Sequence, residues 1–219
     1  MKQCIFCGDK ADSNEDLWPQ WLIRALKRTP DEKIPMSVRR HDEKDFRRWT
    51  KVSGALRVKL VCCKCNNGWM SDLEGEAKPI LTPMMLGEQV TLSASQQHTV
   101  ARWVTKCAMV FDSVDRGEQF YDGLDRHDFH QRSEPSVNST NIWLGKQIGP
   151  TGLVGYTDHR TLRTGLSRRG SDVGSVKQYI NTMVFGHLVM QIASIKRLVH
   201  SDKNFRIKAE MASGPWIGL

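Results

Sequence analysis

The sequence predicts an α+β protein in two parts, a metal-stapled domain over residues 1–80 and a larger α+β domain over residues 81–219. Three observations carry that expectation. Two Cys-x-x-Cys pairs lie within the first 65 residues; the apolar pattern switches from strand alternation near residue 60 to helical spacing beyond residue 94; and there is no internal repeat or low-complexity tract. At 39% hydrophobic and 26% charged, the 219 residues are long enough to bury a core and unlike a disordered or collagen-like chain.

Cys4-Ile5-Phe6-Cys7 is the first pair and, after 54 intervening residues, Cys62-Cys63-Lys64-Cys65 is the second. Each such turn sets two sulfurs on one side of the backbone, so the two together supply the tetrahedral thiolate shell of a structural Zn²⁺. A redox site would need one pair inside a βαβ pattern, and a disulfide framework belongs to small exported domains. Cys63 could replace Cys62 only as a poorer C-x-C turn, so it is read, with Cys107, as a free thiol.

Between the pairs, Pro19 suits the first turn of a helix and Trp18, Trp21, Leu22, Ala25 and Leu26 mark one apolar face, which predicts a helix over 19–28. Residues 29–56 read as a basic excursion with a strand around 34–39. Leu56 to Val61 alternates apolar and basic residues, the pattern of a half-buried strand that delivers Cys62 to the metal. Beyond it, Ser93-Ala94-Ser95-Gln96 has the form of a capping box. Val100, Trp103, Val104, Cys107, Ala108, Phe111 and Val114 then recur at helical spacing, so a helix is expected over 95–114. A short helix over 122–132 and strands over 141–144 and 179–195 complete the second part, the last being a hairpin or one strand bent at Gly186. The Arg- and Gly-rich stretch from 161 to 171 reads as a loop.

Thirty-two Lys and Arg against 24 Asp and Glu give a formal charge of +8, which favours a polyanionic partner. The excess is local: from Arg24 to Lys64 there are 13 basic and 5 acidic residues. Arg24, Arg28, Arg39, Arg40, Arg47 and Arg48 are the candidate nucleic-acid contacts. The chain start has neither the apolar segment nor the cleavage site of a signal peptide, and no apolar run is long enough to cross a bilayer. The expectation is a cytoplasmic protein with no membrane partner.

Cys4-x-x-Cys7, Glu15-Asp16-x-x-Pro19-x-Trp21-Leu22 and Cys62-x-x-Cys65-Asn66-Asn67-Gly68-Trp69-Met70 with Leu73-Glu74 resemble the zinc-stabilised HNH endonucleases of the ββα-metal class, over about the first 80 residues. The resemblance implies a ββα-metal fold for that part and an endonuclease that hydrolyses DNA phosphodiesters with one divalent ion, Mg²⁺ or Mn²⁺. By position, Glu15 matches the acidic metal ligand and Asn66 the ligand on the helix, while a His beside them would take a proton from the attacking water. Here Asp16 stands in the place of that His, and Arg57 roughly in the place of the Asn that orients it. A carboxylate is a weaker base than imidazole by about 2.6 pKa units. Asp16 therefore acts as a weak base or third metal ligand, or His41 substitutes for it, or the module has lost catalysis and binds nucleic acid or a protein partner without cutting. Trp18, Trp21 and Trp69 read as packing residues around the zinc core in preference to base-stacking ones.

Overall fold

The computed structural model describes residues 2–26, 34–38, 47–51, 57–114, 118–135, 140–148, 156–168 and 171–198, with backbone alone for 34–38, 47–51, 156–168, 171–174 and 197–198. It is an α+β protein. Strand β1 (Ser13–Asp16) and helix α1 (Gln20–Leu26) are followed by β2 (Ile34–Val38), β3 (Arg47–Lys51) and β4 (Arg57–Val61). A single helical turn α2 (Cys63–Cys65), a wide π-type turn over Asn66–Met70 and helix α3 (Ser71–Met85) then run on without a break. Helices α4 (Ala94–Val114) and α5 (Gly123–Arg132) lead into β5 (Thr140–Lys146), β6 (Tyr156–Arg168), β7 (Ser171–Phe185) and β8 (Leu188–Leu198).

Strands β1 and β4 pair antiparallel, with Glu15 opposite Val58 and Asp16 opposite Arg57, and β2 pairs with β3. Because side chains alternate across a strand, the two adjacent acids face opposite ways: Glu15 is buried and Asp16 half-buried. The larger sheet has the order β5-β8-β7-β6, antiparallel throughout. Its inner face, carrying Tyr179, Met183, Phe185, Leu188, Met190 and Ile192, joins one hydrophobic cluster with the buried faces of α1, α3 and α4.

Several expectations are met in detail. Ser93 and Gln96 exchange capping hydrogen bonds at the start of α4, with Gln96 N–H to Ser93 Oγ at 3.2 Å and Ser93 N–H to Gln96 Oε1 at 2.9 Å. The region around Gly186 is a hairpin between β7 and β8. Gly186 has φ +57°, and a Cβ there would lie 2.4 Å from the Met85 carbonyl oxygen, so only glycine fits where the turn meets the end of α3.

One expectation is corrected. The stretch 161–171 is not a loop: residues 161–168 belong to β6 and pair with β7, Thr161 opposite Tyr179 and Thr164 opposite Val176. The arginines and glycines disguised a strand whose β-branched and apolar residues, Thr161, Leu162, Thr164 and Leu166, are spaced along an edge, where charge is tolerated. None of the described helices is long and apolar enough to cross a membrane.

Candidate functional site

The Cys4–Cys7 turn closes on itself, Gly8 N–H donating to the Cys4 carbonyl at 3.0 Å, and is tied to the end of β4 by Ile5 N–H to the Leu60 carbonyl at 3.0 Å. At the second turn, Cys65 N–H points at Cys62 Sγ at 3.4 Å, and Asp12 accepts the Cys63 N–H at 2.8 Å. All six described cysteines are free thiols. The sulfurs of Cys4, Cys7, Cys62 and Cys65 lie within 4.8 Å of one another, with Cys7 and Cys62 at 3.5 Å. Four thiolates about 2.3 Å from one zinc sit a little under 4 Å apart, so the cluster fits a tetrahedral metal such as zinc.

Burial opposes ionisation of Cys4, but backbone N–H groups of Cys7, Phe6 and Cys62 bring its thiol below the ordinary value. Burial pushes Cys7 up to about 11, and Cys65 higher still. Thiols this crowded ionise together only around a cation. Trp69 caps the cage, edge-on to Phe6 at 5.0 Å and to Phe129 of α5 at 5.9 Å. Trp18 packs on Phe185 and Trp21 near Trp103, so all three tryptophans serve the core as expected.

Beside the cage a pocket of about 270 Å³ opens between β1, α1 and the start of α3. Its lining includes Glu15, Asp16, Arg24, Asn66, Ser71 and Glu74. The three positions singled out as metal ligands or base all border this pocket, although Glu15 and Asp16 leave β1 on opposite faces. Each already has a protein partner. Asn66 Nδ2 donates to Ser13 Oγ at 2.8 Å and to the Asn14 carbonyl at 3.2 Å, which pins the helix start to β1. Asp16 accepts from Arg57 Nε at 3.0 Å across the strand pair. Glu15, only 5% exposed, meets the ammonium of Lys106 from α4 at 3.3 Å, and the same ammonium lies 2.9 Å from Glu74.

Burial alone would push the Lys106 ammonium down; the neighbouring Cys107 thiol and then the Glu15 and Glu74 carboxylates outweigh it and hold the group well above its ordinary value, so it is charged. Burial raises the Glu15 carboxyl, and Lys106 opposes that rise. A hard divalent ion needs carboxylate oxygens it can draw to itself together with several waters. At Glu15 the carboxylate is buried and bridged by an ammonium, so this donor set does not fit Mg²⁺ or Mn²⁺.

Of the candidate nucleic-acid contacts, Arg24 is exposed at the pocket rim, 3.3 Å from Gln20 Oε1. Arg47 and Arg48 lie on β3, where the backbone alone is described, and Arg28, Arg39, Arg40 and His41 lie outside the described residues. No described histidine lines the pocket. Lys106 was not among the sequence candidates, and Glu74 was noted only as part of the motif. The signal for Lys106 was a lone lysine inside the apolar run from Trp103 to Phe111, which requires a buried counter-charge. No family model, curated protein or solved structure matches the chain.

Proposed function

We propose that the chain is an HNH-like module, stapled by zinc at Cys4, Cys7, Cys62 and Cys65, that binds DNA through its basic N-terminal third without hydrolysing it. What supports the HNH-like reading is the arrangement of two antiparallel strands and a helix around the cysteine cluster, with Glu15, Asp16 and Asn66 brought to one pocket. The single observation that favours binding over cutting is the Lys106 ammonium seated on Glu15, the carboxylate that a catalytic divalent ion would need. Asp16 in the place of the base, held by Arg57, points the same way. DNA as partner rests on the charge excess from Arg24 to Lys64 and on the exposed Arg24 at the pocket rim.

The second reading is an HNH endonuclease acting on DNA with Mg²⁺ or Mn²⁺. It is favoured by one observation, that Asn66, at the start of the helical run, shares a pocket with Glu15 and Asp16 of β1. Supercoiled plasmid and a labelled duplex separate the two readings. Salt-sensitive duplex binding with intact plasmid in Mg²⁺, Mn²⁺ and EDTA supports the binding module; nicking that requires the divalent ion establishes the nuclease. No binding at low salt removes DNA as the partner.

A further inference from the structure

The charge arrangement behind the pocket has a consequence for how that pocket meets its partner. We propose that Lys106 is the resident cation of the pocket: its ammonium permanently takes the place at Glu15 and Glu74 that a divalent ion would take, so the pocket engages a phosphodiester backbone in a metal-independent way. This rests on the reading of the chain as an HNH-like, DNA-binding module.

The three charged groups come from three elements, Glu15 from β1, Glu74 from α3 and Lys106 from α4, and the ammonium bridges one oxygen of each acid. Lys106 is 1% exposed and sits mid-way along a 21-residue helix, between Thr105 and Cys107, which are themselves buried. Its ammonium lies behind the pocket, screened from solvent by Glu15 and Glu74. A lysine in such a place remains charged by holding its acids, and a second, doubly charged cation at the same acids would face it across a few ångströms with little water to screen the repulsion. The rest of the pocket is balanced in the same manner. Asp16 is neutralised by Arg57, and Arg24 stands exposed at the rim, where among the described residues it donates to the Gln20 amide oxygen. Formal charges of Glu15, Glu74 and Asp16 against Lys106, Arg57 and Arg24 cancel. A phosphate is therefore met by the rim guanidinium and by side-chain amides, with the acids behind it already screened.

The test uses the zinc-loaded full chain and Mn²⁺ alone as probe, read by the loss of the free-ion electron paramagnetic resonance signal. The native protein and Lys106→Arg should leave the free Mn²⁺ signal unchanged. Lys106→Met, which keeps the apolar stem and removes the charge, should take up one Mn²⁺ per chain at least about tenfold more tightly than the native protein, and Lys106→Met/Glu15→Gln should lose it. Mn²⁺ uptake by the native chain that Glu15→Gln abolishes overturns the proposal, and so does a folded Lys106→Met protein that takes up none. If Lys106→Met does not fold, the native and Glu15→Gln arm still decides. Duplex affinity measured in EDTA and in Mg²⁺ at matched ionic strength should agree within about twofold. A chain that binds no DNA at all defeats the functional reading and leaves the Mn²⁺ result standing, so the two failures are distinct.

Discussion

Lys106 and Asp112 lie six residues apart on α4, each side chain about 1% exposed, and the helix resolves their charges in different ways. Asp112 accepts from the backbone N–H groups of Phe120 at 2.8 Å and Tyr121 at 2.9 Å, and pairs with Arg126 of α5 at 3.1 Å. Its partners belong to the turn and helix that follow α4, so this cluster folds the chain back on itself within the core. Lys106 instead reaches two carboxylates from other elements, and both of those also line a pocket; the Glu74 side chain is 24% exposed. Burial of a charge is thus no mark of function by itself. Arg126 also borders a pocket, but its side chain is only 7% exposed, so what separates a strut from a site is how far the partners of the buried group reach solvent.

With zinc on the four cysteines, as proposed, the largest effect should come from removing it, because that acts on one cluster and spares the other. Structural zinc contributes on the order of 10–16 kcal/mol, as much as the whole stability of an ordinary domain. Chelation, or Cys65→Ser, should open the β1–β4 pair and the helix start at Asn66 and so free Glu15 from Lys106. Hydrogen exchange should show the amides of Ile5 and Asn66 losing protection while those of Phe120 and Tyr121, held on Asp112, keep more of theirs. Uniform loss across both sets would mean that the two clusters are not separable.

Asp112→Ala comes next. It leaves the Arg126 guanidinium in the core without its anion and two backbone N–H groups without their acceptor, for a loss of about 3–5 kcal/mol in urea unfolding. Lys106→Met should cost less, about 1–3 kcal/mol, because Glu74 can rehydrate and Glu15, whose carboxyl burial already pushes up, can take a proton. Lys106→Met/Glu15→Gln should regain part of that loss. If Lys106→Met proves the costlier of the two, the pocket-side cluster is the stronger strut and the contrast drawn above is inverted.

Much of this was legible in the sequence. Each Cys-x-x-Cys turn, the α4 stripe and its Ser93 cap follow from local spacing, and such spacing survives folding because the partners within each feature are close in the chain. The convergence of Glu15, Asp16 and Asn66 followed from a cage that must bring residue 15 near residue 66. Lys106 was not legible as a partner of Glu15, since the two are separated by 91 positions and periodicity says which face is buried without saying what it meets. The edge strand over 156–168 was missed for the opposite reason. Its pattern is diluted by charge that its place at the edge of the described strands allows, and its pairing with β7 supplies the order that its composition withholds.

Cys107, next to Lys106, separates charge from burial in that same region. Burial pushes its thiol up to about 12, so in the folded chain it holds its proton at pH values where an unfolded thiol, near 9, has lost it. The native state then binds more protons than the unfolded one, and stability falls as pH rises from about 9 to 12, by at most about 1.4 kcal/mol per pH unit for this one group. Cys107→Ala should flatten that alkaline slope, measured as urea midpoints against pH, without touching the slope in Asp112→Asn. An unchanged slope would place the alkaline loss elsewhere.

The smallest effect on stability belongs to the pair that looks most like an active site. Arg57 is more than half exposed where it meets Asp16, so Arg57→Ala should cost no more than about 1 kcal/mol. Its value is as a control on chemistry. Asp16→His installs a base with a pKa near 6.5 in the pocket. If Lys106 holds Glu15 as its permanent counter-ion, a better base has no divalent ion to work beside, and Asp16→His should leave supercoiled plasmid intact in Mg²⁺ and Mn²⁺ while duplex affinity changes little. The same substitution placed on Lys106→Met gives it the best chance of cutting, because the acid is then free. Nicking by Asp16→His alone, lost again in Glu15→Gln, would show that the ammonium and a metal share the carboxylate, and the pocket would have to be read as an impaired nuclease whose missing part was the base.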